Sequence, residues 1–212
     1  MIHETGIPEL DRKLGGGIPP GTLVAVEAPP RAQREPLLCR AASAGNRPTK
    51  YFTTIRSAGA VRKQFERANV AADSLDSVIE LRPESATGTI PERLDGLEPG
   101  QDFLVDVVDP IEDTVDQRTY AEFLNDLTER LQDTDSVGYL HAYAGVEATD
   151  QRQLTLDIAD FVWRLDPVDS RGEINYVLRI PKTNGLALSP ADRHLEISVG
   201  QDVDIDQTRN IG

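Results

Sequence analysis

Apolar and polar positions along this chain fall into short blocks whose period switches between two values. Thr22-Leu23-Val24-Ala25-Val26-Glu27 is a near-continuous apolar run, as expected of a strand buried on both faces. Similar short runs rich in branched or aromatic residues predict strands at Lys50–Thr54, Ser77–Leu81, Val137–Tyr143, Ile174–Ile180 and Leu195–Val199, and one from Asp102 towards Asp109. Between them the spacing becomes helical. Leu37, Leu38, Ala41 and Ala42 share one side of a helix over Pro36–Ala44, and Val61, Phe65 and Ala68 do so over Ser57–Asn69. The clearest helix is Gln117–Gln132, where Tyr120, Phe123, Leu124, Leu127 and Leu131 make a core-facing stripe. Gln153–Leu165 reads as a helix running into a strand. Residues 82–101 are rich in Pro, Gly and Thr and predict a surface loop. Strands that alternate with helices predict an α/β fold: a mainly parallel sheet flanked by helices, with antiparallel strands added near the C-terminus. All 212 residues are assigned to a single domain.

The chemistry gathers where the first strand ends. Ala28-Pro29-Pro30-Arg31-Ala32-Gln33-Arg34-Glu35 joins that strand to a helix. A phosphate-binding loop of pattern G-x-x-x-x-G-K-[ST] occupies such a place. On that frame Ala28 takes the first Gly, Gln33 the second, Arg34 the Lys and Glu35 the Ser/Thr. Ala28 and Gln33 lack the backbone freedom that lets glycine curl around phosphate. Glu35 sets a carboxylate where a hydroxyl would ligate magnesium, and Pro36 has no N–H to offer. Arg34 keeps the charge without being a lysine point charge. The candidate nucleotide residues are Arg31, Gln33, Arg34, Glu35 and Asp109, all in a vestigial role, and no catalytic residue is assigned.

Residues 5–21, Thr-Gly-Ile-Pro-Glu-Leu-Asp-Arg-Lys-Leu-Gly-Gly-Gly-Ile-Pro-Pro-Gly, give the family resemblance. This phrase is similar, almost residue for residue, to the entry of the RecA/KaiC/Rad55-like family of P-loop ATPases. The passage 153–165 and the closing run Asp204–Ile211 resemble the same family. The resemblance implies a RecA-like fold, a magnesium-holding aspartate at the end of a strand, one or two glutamates after the second strand, and a cation pair reaching a neighbouring subunit. Ile55 and Arg56 stand where the glutamates would be, and neither can take a proton from water. The phrase Asp109-Pro110-Ile111-Glu112-Asp113 favours Asp109 for the magnesium position, with Asp106 the alternative. In Pro181-Lys182-Thr183-Asn184-Gly185 the lysine is kept and Asn184 replaces the arginine, so Lys182 is the candidate inter-subunit contact. His141, near the end of its strand, reads as a buried, hydrogen-bonded histidine.

Composition narrows the picture further. The formal charge is −14, with 36 acidic against 22 basic residues, and only four of the basic ones are lysines. That balance fits a halophilic host and repels nucleic acid in general. The single Cys39 excludes an internal disulfide and lies in an apolar helical run, where packing is its expected role. No apolar window reaches membrane-spanning length, and His3 and His194 have no partners at metal-ligand spacing. The sequence therefore predicts a cytoplasmic protein without a metal site or membrane contact, and one that binds a protein partner or its own copies. The leading function is a degenerate RecA/KaiC-like pseudo-ATPase serving as a regulatory or assembly partner, with no cofactor. The alternatives are a residual ATP/Mg binder or slow ATPase, and a DNA recombinase paralogue.

Overall fold

The computed structural model describes residues 1–46, 48–70, 74–145, 149–170, 173–199 and 203–204. The run 205–211 that resembles the family's closing phrase lies outside them.

The chain enters through Met1–Gly21. Here α1 (Pro8–Lys13) buries Leu10, and His3 and Ile18 exchange backbone hydrogen bonds of 2.8 and 2.7 Å. Gly17 permits that bridge. Its φ is +134°, and a Cβ there would lie 2.2 Å from the His3 carbonyl oxygen. The His3 imidazole is fixed as well, with Nε2 donating to the Asp135 carbonyl at 2.8 Å and Nδ1 2.9 Å from the Asp102 carboxylate.

The strands are β1 (Thr22–Ala28), β2 (Thr49–Thr53), β3 (Leu75–Glu80), β4 (Asp102–Asp106), β5 (Val137–Tyr143), β6 (Phe161–Ser170), β7 (Glu173–Thr183), β8 (His194–Val199) and β9 (Val203–Asp204). They join in the order β3-β2-β4-β5-β1-β6-β7-β8-β9. Pairs from β3 through β6 are parallel, and those from β6 to β9 are antiparallel. The remaining helices are α2 (Glu35–Ala41), α3 (Ala58–Arg67), α4 (Ala86–Leu94), α5 (Asp109–Thr114), α6 (Gln117–Thr134) and α7 (Asp150–Ile158). An α/β fold with a mainly parallel sheet and antiparallel C-terminal strands is thus observed, with β5 in the sheet interior between β4 and β1, as its apolar run requires.

Strand periodicity divides the core in two. Val24, Val26, Ala28, Tyr51, Leu104 and Tyr139 point to the side of α1, α2 and α3. Their neighbours Leu23, Phe52, Phe103, Val105 and Leu140 point to the side of α4, α5 and α6. Trp163 is fully buried in the first of these cores, a packing residue as expected. Cys39 packs in the same core. Burial, with the Glu35 and Asp106 charges adding to it, pushes its thiol pKa up to about 12.

One predicted feature is corrected. Residues 82–101 contain α4, with Ala86, Ile90 and Leu94 forming a buried i, i+4, i+8 stripe. Thr87, Gly88, Thr89 and Pro91 hide that stripe in the sequence. Pro91 sits inside the helix and is itself buried, so packing against α6 outweighs its lost N–H bond. α5 was not predicted either, because the run 109–114 reads as strand end and loop.

Gly138 tests the packing of the central strands. It lies opposite Phe103 on β4, and a Cβ added there would come 2.5 Å from the Phe103 ring. Gly138→Ala should cost about 1–3 kcal/mol by overpacking. A urea midpoint unchanged from wild type would show that the ring has room to move.

Candidate functional site

In a sheet of this topology the crevice for ligands lies beyond the carboxyl ends of the parallel strands. Four of those ends, Ala28, Thr53, Asp106 and Tyr143, lie side by side here. The loop leaving β1 brings Arg34 and Glu35 to the same edge.

That loop is short and tied down. Ala32 N donates to the Pro29 carbonyl at 2.9 Å, and Gln33 N donates to the Tyr176 hydroxyl of β7 at 3.2 Å. Ala28 and Ala32 are buried, while the side chains of Arg31 and Gln33 turn to solvent. Arg34 goes inward and is only 3% exposed. Its Nη1 donates to the Pro30 carbonyl at 3.4 Å and lies 3.5 Å from the Glu35 carboxylate. Its guanidinium carbon sits 5.3 Å from the centre of the Tyr143 ring, a cation–π contact.

Glu35 has a second cation, since Arg56 Nη2 donates to the same carboxylate oxygen at 3.0 Å. The Arg56 Nε lies 3.7 Å from Asp106 Oδ2. Asp106 ends β4 and is 1% exposed; its Oδ1 meets His141 Nδ1 at 2.7 Å, and Oδ2 accepts from the Tyr51 hydroxyl at 2.8 Å. The four charges Arg34, Glu35, Arg56 and Asp106 therefore cancel within one cluster. Ile55, in the other position where the resembled family carries a glutamate, is 47% exposed and adds nothing to it.

The protonation states follow from these contacts. Burial opposes charge on Asp106, yet the hydrogen bonds from His141 and Tyr51 and the nearby Arg34 outweigh it and hold the carboxyl below its ordinary range. Burial lowers the His141 pKa, which Asp106 only partly offsets. His141 is thus a neutral imidazole that donates from Nδ1, and its Nε2 has no hydrogen-bond partner among the described residues. The Tyr51 hydroxyl is pushed well above its ordinary value, first by burial and then by the Asp106 charge.

Asp109 stands apart from this cluster. The structure places Asp106, not Asp109, at the strand end, and Asp109 opens α5. One Asp109 oxygen accepts from Tyr143 N at 3.0 Å and the other pairs with Arg152 of α7 at 2.7 Å. Arg152 also lies 2.8 Å from Glu112 and donates to the Tyr143 carbonyl at 2.8 Å. Tyr120 and Thr155 close the network on Glu112 at 3.3 and 2.6 Å. Burial alone would lower the Arg152 pKa, but the hydrogen bonds and charges of Glu112 and Asp109 raise it instead. Arg152 and Glu112 were missed by sequence reading. Their only local signal is a charge pair 40 positions apart, which nothing in the chain marks as a contact.

Lys182 lies on β7, where its Nζ donates to the carbonyls of Leu156 and Asp157 at the end of α7, at 3.0 and 2.6 Å. Cations suit that end of a helix. Of the residues singled out in the sequence, Arg34 and Glu35 are brought together with Asp106 and His141. Arg31, Gln33, Asp109 and Lys182 are not.

The family model described as family of unknown function (DUF7125) matches residues 2–212. The chain belongs to this family. A solved structure of a KaiC-like protein from the hyperthermophilic archaeon Pyrococcus horikoshii is similar to this DUF7125 member, with a TM-score of 0.76. The likeness covers 95% of this chain and 96% of that one at 16% sequence identity. At that identity it shows the fold alone, a RecA-like architecture of the KaiC-like kind. A search of the curated proteins found no match. No helix among the described residues is long and apolar enough to cross a membrane.

Proposed function

We propose that this DUF7125 chain is a pseudo-ATPase: a KaiC-like domain that does not hydrolyse ATP and serves as a regulatory or assembly partner of other proteins or of its own copies. The observation that carries this reading is Arg34. In a working phosphate loop the cation is open to the β- and γ-phosphates, and a hydroxyl and an aspartate hold magnesium. Here Arg34 is buried against Tyr143 and the loop's own Pro30 carbonyl. Glu35, in the hydroxyl's place, is neutralised by Arg34 and Arg56. Asp106 is engaged by His141, Tyr51 and Arg56. A magnesium–triphosphate would have to displace these contacts, which include those of the buried Arg34 and Asp106, 3% and 1% exposed. The residues present do not fit that group, and no hydrolytic step follows from them.

The acidic surplus supports a high-salt cytoplasm, where screening over about 3 Å near 1 M salt lets so acidic a surface approach a partner. It disfavours nucleic acid as that partner. Titration calorimetry with Mg-ATP in molar KCl should give no saturable heat, and a coupled assay should give no turnover. Micromolar, magnesium-dependent affinity would contradict the reading.

The alternative of a residual ATP binder draws on one observation: Asp106 and Arg34 still occupy the strand end and the loop that such a site would use. Measured turnover that disappears in Asp106→Asn would support it.

A further inference from the structure

A row of charged residues crosses the sheet beside α7. Glu27 on β1 is the direct partner of Arg164 on β6, and Arg164 is the direct partner of Arg179 on β7. Direct partners share a sheet face, and neighbouring strands are about 4.8 Å apart. A carboxylate and two guanidinium groups therefore stand side by side across roughly 10 Å.

All three line one cavity of about 500 Å³, whose apolar wall is Leu156, Val162 and Pro181. That volume suits a small organic ligand. The cavity lies across the sheet from Arg34: on β1, Val24, Val26 and Ala28 face the α2 side, whereas Ala25 packs with Ala159 and Val162. It is thus independent of the phosphate-loop cluster.

Each charged member has capacity left for a ligand. Glu27 makes no hydrogen bond or ion pair among the described residues. Its carboxyl is raised first by burial, which Arg164 and Arg152 offset in part. Arg164 and Arg179 both spend their Nε on Asp166, at 3.2 and 2.9 Å. Asp166 thus aligns the two guanidinium groups, while their side chains remain half exposed, at 49% and 50%. Arginine's outer N–H groups match a carboxylate fork to fork. A simple anion would meet Glu27 and Asp166, which also lines the cavity, and a simple cation would meet two arginines. A ligand with both charges at its two ends satisfies the whole row.

We propose that this cavity binds a short zwitterion with an apolar body, of the dipeptide class. Its ammonium group sits on Glu27, its carboxylate on Arg164 and Arg179, and its side chains against Leu156, Val162 and Pro181. Lys182 lines the same cavity but is spent on the α7 carbonyls, so it positions the wall rather than the ligand.

Leucyl-leucine is a suitable probe, titrated into the full chain with calorimetry and thermal shift as readouts. The proposal expects saturable binding in the millimolar range, and at least a tenfold loss of affinity on N-acetylation or C-terminal amidation of the probe. It expects a similar loss in Glu27→Gln, with Arg179→Gln as a second variant at the exposed rim. Absence of saturable binding to the wild-type chain would overturn it, as would affinity unchanged by either capping or by Glu27→Gln. The capped probes use the unmodified protein, so a variant that fails to fold does not rescue the idea.

Discussion

Arg152→Ala is expected to destabilise the protein by about 3–5 kcal/mol, the usual cost of removing one partner of a buried ion pair. For a chain of this length that is a fall in Tm of roughly 6–20 °C. The side chain is 4% exposed and ties three elements together: Glu112 and Asp109 of α5, the Tyr143 carbonyl at the end of β5, and α7 itself. Its loss leaves the Glu112 carboxylate, 2% exposed, with only the Tyr120 and Thr155 hydroxyls among the described residues. Arg152→Lys should recover little, because one ammonium cannot span Glu112, Asp109 and a carbonyl as the planar fork does. Thermal unfolding followed by far-UV circular dichroism measures this. A lysine variant as stable as wild type would show that charge alone matters there.

Asp106→Ala should also destabilise, by about 1–3 kcal/mol for each of the two buried donors, His141 and Tyr51, that it leaves without an acceptor. It strips the acceptor from His141 and Tyr51 and an opposing charge from Arg56. Asp106→Asn should cost less, because one acceptor oxygen remains and neutral His141 can change tautomer. The pair also sets an acid dependence with two parts. His141 is held below its ordinary 6.5, so the unfolded chain takes up a proton first. The stability this contributes is whole above about pH 6.5 and declines as pH falls from there towards the folded-state value. Asp106 is held below its ordinary 3.8, so its contribution is present above that value and is lost as pH falls through the lower folded-state value. His141→Gln should flatten the first decline and also weaken the second, because His141 is the leading interaction that holds the Asp106 carboxyl low. Urea denaturation at stepped pH checks both. A first decline unchanged in His141→Gln would assign it to another group.

What the sequence disclosed and what it hid follow from the range of each signal. β1 and β5 announce themselves, because a strand buried on both faces has to be apolar at successive positions. α6 does so because five large residues keep its stripe in phase. α4 stayed hidden because Gly88 and Pro91 are poor helix residues and its stripe has only small or isolated apolar members. The site was legible in its parts rather than in its wiring. That Ala28, Gln33 and Glu35 depart from the pattern G-x-x-x-x-G-K-[ST] is plain in one dimension. That Arg34 would fold onto Tyr143, and that Arg56 would turn back to Glu35, depends on which strand ends become neighbours. The choice between Asp106 and Asp109 had the same origin. Both follow apolar residues, and only the end of β4 decides that Asp106 meets His141 while Asp109 starts a helix and pairs with Arg152.

The fold also explains why so many polar groups gather at the strand ends. A RecA-like sheet concentrates its loops and helix starts at that edge, and every buried polar atom there needs a partner. Here Arg34, Glu35, Arg56, Asp106 and His141 supply many of one another's partners, while Arg34 Nε and His141 Nε2 have no hydrogen-bond partner among the described residues.

The most direct measurement is a crystal structure of the full chain grown or soaked with Mg-AMPPNP at high salt. Arg34 should remain stacked on Tyr143 and Glu35 paired with Arg56, with no ordered triphosphate between β1 and α2. Ordered γ-phosphate density against Arg34, with a magnesium ion beside Asp106 or Glu35, would contradict the account.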